Sequence, residues 1–203
     1  MNGELVKLLL SDDMIQEPST NTSSSKAAAD ASTREDIVSQ LDLSAVIIHY
    51  QTPDLLKMAV ESFKRFYPKT PLYVVDNGSD SDVVDRVEEW IGAQSNTQWV
   101  RLPKNVYHGP AMDFAARQIV KSKYVFFLDS DTETKEGGFL ERIVEHLEAD
   151  EKNYAAGMFN RVNKRGFSTN NSSGELILQT PYMVVHRALY LQFPPFIHHG
   201  QPT

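Results

Sequence analysis

The 203-residue sequence contains no cysteine, which excludes disulfides, thiolate metal sites and thiol nucleophiles. It also lacks an apolar run approaching the roughly 18 residues of a membrane span, and its first residues, Met1–Glu4, lack the basic start of a secretory signal. Basic side chains are fewer than acidic ones, 20 against 27, and the formal net charge is −7. We therefore expect a cytoplasmic protein with no integral membrane segment and no nucleic-acid partner.

Large apolar residues are scarce from Glu17 to Thr33, where Ser, Thr, Ala, Asn and Asp dominate. Such a segment buries too little surface to offset the entropy of ordering it, so we expect a flexible tail within an N-terminal extension, residues 1–43. The remaining residues, 44–203, are enough for one sizeable core and predict one domain.

From Ser44 onwards, short apolar strands alternate with amphipathic helices, which indicates a parallel α/β sheet. The first helix is predicted to begin at Pro53 with Thr52 as its cap, and another is predicted from Pro110 to about Val120. Residues 160–174 are polar and predict a hairpin or mobile loop. The predicted strands are Ala45–His49, Leu72–Val75, Gln98–Leu102, Tyr124–Leu128, Tyr154–Phe159 and Tyr182–Val185.

The predicted strand Tyr124–Leu128 is entirely apolar and ends abruptly in Asp129-Ser130-Asp131. Side chains two apart on an extended backbone point to the same side, so Asp129 and Asp131 can converge on one point. A divalent cation offsets their repulsion, and Mg²⁺ or Mn²⁺ takes one or two carboxylates plus phosphate oxygens of a substrate. The alternative is that these residues only form a turn or cap a helix.

Two other predicted strands also end in polar residues, His49–Thr52 and Asp76–Ser79. In open parallel sheets, ligands bind outside the carboxyl ends of the strands. If the first and fourth strands are neighbours, these two loops and Asp129–Asp131 share one crevice. That placement favours a metal-diphosphate site over the turn-forming alternative.

Four sequence stretches together resemble the nucleotide-sugar-binding half of a family 2 glycosyltransferase with the GT-A fold. They are, in order, VIIHYQTPDLL, LYVVDNGSD, NVYHGPAMDFAARQ and YVFFLDSDTE, and they lie between Ser44 and Phe159. The resemblance implies a three-layer αβα sandwich with a mostly parallel sheet. It also implies inverting transfer of a sugar from a nucleotide-diphosphate donor, with UDP favoured, to an unknown hydroxyl acceptor.

Site residues follow from the same resemblance. It implies that Mn²⁺ or Mg²⁺ binds Asp129 and Asp131, with Asp131 the more direct ligand. The remaining donor-binding residues implied are Tyr50 with Thr52 and Asp76 at the nucleobase, Asn105 and Gly109 at the ribose and diphosphate, and Arg117 in support of the acidic loop.

For two of these residues the sequence offers a second interpretation. Asp76 can accept a hydrogen bond from the imide N–H of uracil, or it can form an Asx turn with Asn77 and Gly78. Arg117 lies four residues after Asp113 on a predicted helix, so an ion pair within that helix is the simpler role.

No Asp or Glu follows Glu175, although members of this family usually carry an acidic general base in the acceptor half. His186, His198 and His199 are the titratable side chains of that stretch that could replace it, and His198 and His199 are taken as the candidate catalytic residues. We expect the part of the domain that binds the acceptor to be minimal or truncated.

Three rival functions fit part of this pattern. A phosphatase of the haloacid dehalogenase type also carries D-x-D-x-T after an apolar strand, but that loop normally opens the fold. A sugar-nucleotide pyrophosphorylase would need a glycine-rich, basic loop after its first strand, which His49–Thr52 is not. The third rival is a non-catalytic module that binds nucleotide sugars.

Overall fold

The computed structural model describes residues 41–165 and 167–197. The predicted flexible tail and the candidate bases His198 and His199 lie outside the described residues. The domain boundary at residue 43 stays a prediction.

Six strands form one central sheet in the order β3-β2-β1-β4-β6-β5. β3, β2, β1 and β4 run parallel to one another, whereas β6 runs antiparallel to both β4 and β5. The predicted adjacency of the first and fourth strands is confirmed, because β1 and β4 pair directly. The strands are β1 (Leu43–His49), β2 (Leu72–Asp76), β3 (Thr97–Arg101), β4 (Tyr124–Asp129), β5 (Ala155–Val162) and β6 (Glu175–His186).

The helices alternate with the strands as predicted, but one of them begins at a different residue. The third helix begins at His108, so Pro110 is its third residue and not its first. A single π-helical turn, Ala115–Ile119, continues that helix. The helices are α1 (Pro53–Phe66), α2 (Ser81–Gly92), α3 (His108–Phe114), α4 (Phe139–Glu148) and α5 (Arg187–Tyr190).

Helices cover both faces of the sheet, which confirms the three-layer sandwich. One core cluster packs α1, α2 and α4 against one face, and a second packs α3 and α5 against the other. Successive strand residues enter opposite clusters, so that Phe126 belongs to the first and Phe127 to the second. Because β4 is buried on both sides, its sequence is a continuous apolar run.

The antiparallel part of the sheet is larger than the sequence predicts. β5 extends to Val162, and β6 is a 12-residue strand of which only Tyr182–Val185 was predicted. The first half of β6, Glu175–Thr180, is at least partly exposed and has only a short apolar run, and Pro181, a residue that usually marks an edge or a break, follows it. The hairpin prediction for residues 160–174 is confirmed, because Val162 pairs with Glu175 in antiparallel register.

None of the helices within the described ranges is long and apolar enough to cross a membrane.

Candidate functional site

The carboxyl ends of β1, β2 and β4 lie side by side at one edge of the sheet. His49 is in register with Asp76 on β2, and its neighbour Ile48 is in register with Asp129 on β4. The polar residues that follow these strands therefore open into the same region, as expected for the ligand-binding end of an open parallel sheet.

The imidazole of His49 bridges the β1 and β2 ends inside the protein. Its Nε2 lies 3.2 Å from the backbone N of Thr52 and accepts that N–H, while its Nδ1 lies 3.1 Å from Oδ1 of Asp76. Since a neutral imidazole donates through one nitrogen only, this arrangement assigns the proton to Nδ1. Thr52 precedes α1 as predicted, but its side chain makes no capping hydrogen bond.

Both carboxylate oxygens of Asp76 are engaged within the protein. Oδ1 accepts from His49, and Oδ2 accepts the backbone N–H of Ser79 at 3.1 Å. Burial alone would raise the pKa of Asp76, but the hydrogen bonds from His49 and Ser79 outweigh it and leave the pKa below its usual value. Asp76 thus has the turn-forming role that the sequence left open. A direct contact with a nucleobase stays a prediction, and it would require this fully buried carboxylate to become accessible.

Further hydrogen bonds tie the loops after β1, β2 and β3 together. The backbone N–H of Gln51 donates to Oγ of Ser79 at 3.0 Å. Asn77 donates through Nδ2 to Oδ1 of Asn105 at 3.2 Å and accepts the N–H of Val106 at 3.0 Å. Asn105 therefore holds the loop after β3 against the loop after β2. Its predicted place at the ribose and diphosphate stays a prediction.

Gly78 allows the close approach of these loops. Its φ is +77°, and a Cβ added there would lie 2.3 Å from the carbonyl carbon of Lys104. Only glycine satisfies both conditions, because any side chain would strain the backbone and collide with main-chain atoms.

Tyr50 leaves this buried network and points outward. It follows β1 directly and is 44% exposed, which makes it one of the large apolar side chains with free surface at this end of the sheet. Its predicted place at the nucleobase stays a prediction, and its exposure leaves a ring face open to a ligand.

Asp129 lies at the end of β4, and only one of its two carboxylate oxygens accepts a hydrogen bond among the described residues. Oδ2 accepts a hydrogen bond from Oγ1 of Thr180 at 3.4 Å, whereas Oδ1 is buried without a hydrogen-bond partner among the described residues. Burial raises the pKa of Asp129; the nearby imidazole of His108 opposes this shift and the charge of Asp131 adds to it. A buried carboxylate oxygen without a hydrogen bond is costly, so a cation or a hydrogen-bond donor of a ligand would stabilise it.

Asp131 is exposed two residues further along, close enough for its charge to act on Asp129. Within residues 41–165 and 167–197, no three histidine or acidic side chains lie close enough to hold a metal ion by themselves. The unpaired Oδ1 of Asp129 nevertheless fits a divalent cation whose remaining ligands come from a substrate.

His108 is the site residue that sequence reasoning missed. Its Nε2 lies 3.7 Å from Oδ1 of Asp129, although it belongs to the start of α3 on another segment of the chain. No local signal pointed to it, because His108 precedes the predicted helix start at Pro110 and belongs to no apolar periodicity. Only the sheet order brings the two segments together.

Arg117 and Gly109 both lie against the C-terminal segment, and the predicted place of Gly109 at the ribose and diphosphate stays a prediction. Arg117 forms the ion pair within its helix, with Nε 2.6 Å from Oδ1 of Asp113, and donates through Nη2 to the carbonyl of Phe193 at 2.9 Å. A Cβ added to Gly109 would lie 2.5 Å from the carbonyl oxygen of Ile197. Arg117 thus holds this segment, and its predicted support of the acidic loop stays a prediction.

β6 supplies the support of the acidic loop. Besides Thr180, Tyr182 reaches across, and its Oη donates to the carbonyl of Glu133 at 3.1 Å. Tyr182 has a φ of +57°, an unusual backbone conformation within a strand, and it lies opposite the bulge at Gly157. His186, at the end of the same strand, accepts the N–H of Leu189 and caps α5.

Comparison with protein families matches residues 44–201 to the model described as "Glycosyl transferase family 2". No curated protein matches the chain.

Two solved structures are similar to this chain. The mannosyltransferase PcManGT from Pyrobaculum calidifontis, in complex with GDP-Man and Mn²⁺, is 16% identical with a TM-score of 0.56 over 83% of this chain and 55% of its own. S. aureus TarS 1–349 is 17% identical with a TM-score of 0.49 over 74% of this chain and 48% of its own. The chain thus spans about half the length of these two structures, and the first similarity supports the fold.

Proposed function

The chain belongs to glycosyl transferase family 2, and on that basis we propose that it transfers a sugar from a nucleotide-diphosphate donor to a hydroxyl acceptor. The single observation that carries this proposal is the convergence of the β1, β2 and β4 ends, with an unpaired carboxylate oxygen of Asp129 among them.

In the proposed reaction the acceptor oxygen attacks the anomeric carbon from the side opposite the diphosphate. A new carbon–oxygen bond forms while the bond to the diphosphate breaks, and the nucleoside diphosphate leaves with the electron pair. The proton of the acceptor hydroxyl passes to a base. One in-line displacement of this kind inverts the anomeric configuration.

We propose that Asp129 and Asp131 hold Mn²⁺ or Mg²⁺ together with the donor diphosphate. When bound, the cation supplies positive charge against the negative charge that develops on the leaving group. The chain's own contribution is placement: Thr180 fixes one oxygen of Asp129 and leaves the other unpaired. The Mn²⁺ in the Pyrobaculum mannosyltransferase is consistent with this proposal.

The nucleobase of the donor is proposed to bind against the loops after β1 and β2. Tyr50 offers an exposed aromatic face there, while His49 and Asp76 act from within by fixing the loop conformations. UDP is the first nucleotide to test because the family resemblance implies it. GDP is the second, since the Pyrobaculum structure contains GDP-Man.

One observation favours a second candidate, a module that binds the donor without transferring the sugar. Within residues 176–197 there is no acidic residue, and the one histidine, His186, is occupied as the cap of α5. A general base is thus not identified among these residues. His198 and His199 remain the proposed bases.

Calorimetric titration with UDP, GDP and CDP tests the binding half of the proposal, first with Mn²⁺ and then with a chelator. Release of the nucleoside diphosphate from the matching nucleotide sugars, with and without simple sugar acceptors, tests the catalytic half. Metal-dependent binding with acceptor-dependent release would support the transferase. Metal-dependent binding without release would support the binding module, and no binding of any nucleotide would contradict both.

A further inference from the structure

The hairpin formed by β5 and β6 projects beyond the end of β4, and we propose that its tip binds the surface of a membrane that contains anionic lipids. The tip comprises Asn163, Lys164, Arg165 and Phe167. Binding there would be peripheral and reversible, and it would not depend on whether the protein transfers a sugar.

The hairpin extends further than its neighbour in the sheet. β4 pairs with β6 only as far as Phe127, whereas β5 continues to pair with β6 as far as Val162 and Glu175. Thr180, which contacts Asp129, lies between these two points on β6. The tip therefore lies further out in the direction of β4 than Asp129, and a membrane bound there would lie beyond the same edge of the sheet as the candidate site.

The hairpin is basic although the protein is acidic. The 23 residues from Lys152 to Gly174 contain four basic side chains and no acidic one, while the formal net charge of the whole chain is −7. Lys164 and Arg165 are both exposed at the tip. Anionic lipids attract basic residues close to their surface and repel the acidic remainder of the protein. This asymmetry of charge would turn the hairpin towards the membrane.

Phe167 supplies the apolar part of this surface. It is 67% exposed, more than any other large apolar side chain of the described residues. A single exposed apolar side chain is ordinary on a soluble protein, but Phe167 lies on one tight turn with Lys164 and Arg165. An apolar side chain beside basic ones is the combination that binding in a membrane interface uses. Two basic side chains are few for a nucleic acid, whose affinity grows with the number of phosphates neutralised.

Hydrogen bonds hold the tip in a fixed shape. Oδ1 of Asn163 accepts the backbone N–H groups of Arg165 and Phe167 at 2.8 and 3.2 Å. The N–H of Asn163 donates to the carbonyl of Phe167 at 2.8 Å. Behind the tip, Nη1 of Arg161 donates to the carbonyl of Gly174 at 3.0 Å and closes the base of the loop. The phenylalanine ring is thus presented without a large ordering cost on binding.

Co-sedimentation of the full chain with lipid vesicles tests this proposal. One set of vesicles contains phosphatidylcholine mixed with phosphatidylglycerol, and the other contains phosphatidylcholine alone. The variants of the tip are the double substitution Lys164→Gln with Arg165→Gln, and the single substitution Phe167→Ala. Thermal melting establishes that each variant is folded.

The matched controls change the same kinds of side chain elsewhere on the surface. Arg65→Gln with Lys121→Gln removes two exposed basic side chains, one in the last turn of α1 and one before β4, at the edge of the sheet away from the tip. Leu55→Ala removes an apolar side chain that is 42% exposed on α1.

We expect wild type to bind the mixed vesicles, to bind phosphatidylcholine vesicles much less, and to lose binding as salt is added. Lys164→Gln with Arg165→Gln should weaken binding about 25-fold, because each basic residue near an anionic surface contributes about fivefold. Phe167→Ala should weaken it about tenfold, since the ring leaves water on binding. Both controls should stay within about twofold of wild type.

Wild type that binds neither kind of vesicle, or both equally, would overturn the proposal. Vesicle binding that is unchanged in both tip variants, or that falls equally in the tip variants and the controls, would also overturn it, because the tip would then not be the binding surface. Binding of a duplex oligonucleotide that is lost in the Lys164→Gln and Arg165→Gln variant, without binding of vesicles, would overturn it in favour of a nucleic-acid partner. Each of these results leaves the proposed sugar transfer unaffected.

Discussion

Nδ1 of His49 and Oδ1 of Asp76 lie 3.1 Å apart, and neither side chain has exposed surface. The two residues are in register at the ends of neighbouring parallel strands, so the hydrogen bond joins β1 to β2 where their loops begin. Hydrogen bonds from Ser79 to Asp76 and from Thr52 to His49 extend this link into both loops. The polar residues at the strand ends are thus partly a scaffold, and the exposed side chains around them are free for a ligand.

Asp76→Asn should change how stability depends on pH. The pKa of Asp76 is lowered in the folded protein, so its charged form stabilises the fold above the unfolded value of about 3.9 and this contribution is lost as the pH falls through the lowered folded value. We expect the variant to be less stable than wild type at pH 7, by about 1–3 kcal/mol, and to lose less stability below pH 4. Urea unfolding at pH 7, 4 and 3 measures this.

Asp85→Asn is the control for that measurement, because Asp85 is exposed on α2 and the substitution makes the same change in charge. Equal acid sensitivity of wild type and both variants would contradict the role given to the His49–Asp76 bond.

The same Asp76→Asn variant separates a scaffold role from direct recognition of the base. Because both oxygens of Asp76 are engaged inside the protein, we expect its affinity for UDP and CDP to fall by the same factor. Calorimetry with both nucleotides measures the ratio. A wild-type preference for UDP of about tenfold or more that disappears in the variant would instead indicate a direct hydrogen bond to uracil.

Asp131→Asn should weaken metal-dependent nucleotide binding and leave the free energy of unfolding almost unchanged, because Asp131 is exposed. Titration of UDP with Mn²⁺ and with a chelator measures the metal-dependent part of the affinity. Glu136→Gln is the control, since Glu136 is an exposed acidic residue of the same loop. If Glu136→Gln and Asp131→Asn reduced binding equally, the effect would come from the general charge of the loop.

The sequence predicted the parallel core of this fold because its signals are local. Continuous apolar runs such as β4 and the helical spacing of Val83, Val84, Val87 and Ile91 each fall within about a dozen residues, and the structure contains both. The carboxylates at the end of β4 were found in the same way. β6 was largely missed because its first half has only a short apolar run, Leu176–Leu178, and is followed by Pro181, so that pairing with β5 extends the strand beyond its apolar end.

The rest of the site depends on contacts between distant segments, which no local pattern contains. His108 meets Asp129 and Asn77 meets Asn105 only because the sheet order places their segments side by side. Tyr67 is a similar case. No sequence pattern distinguishes it, and its hydroxyl contacts the start of α4, more than 70 residues further along the chain.

Tyr67→Phe should destabilise the fold by about 1–3 kcal/mol. The hydroxyl accepts the backbone N–H groups of Phe139 and Leu140 at 3.1 and 3.3 Å, at the first turn of α4. Burial raises the pKa of Tyr67, so it remains a neutral hydroxyl at pH 7. Removing it leaves two N–H groups without this acceptor. Urea unfolding measures the loss, with Tyr73→Phe on β2 as the control, expected to stay within about 0.5 kcal/mol of wild type.

Gly78→Ala tests whether the close packing of the loops governs both stability and binding. The added methyl group would lie 2.3 Å from the carbonyl carbon of Lys104, and the φ of +77° is unfavourable for alanine. The segment carrying Asn105 must therefore move away, which breaks its bond to Asn77. We expect the unfolding free energy to fall by about 2 kcal/mol or more and nucleotide affinity to fall with it.

Gly92→Ala provides the matched control for that substitution, because a Cβ at Gly92 meets no atom within 4 Å and its φ is not in the positive region. Replacing this glycine, the last residue of α2, should leave stability unchanged or raise it by about 0.4–1 kcal/mol. Comparing the two variants by urea unfolding and by UDP titration isolates the effect of the loop contact from that of the added methyl group. If Gly78→Ala retained wild-type nucleotide affinity despite its lower stability, the packing of the second loop against the third would be needed for folding alone, and Asn105 would lose its place among the donor-binding residues.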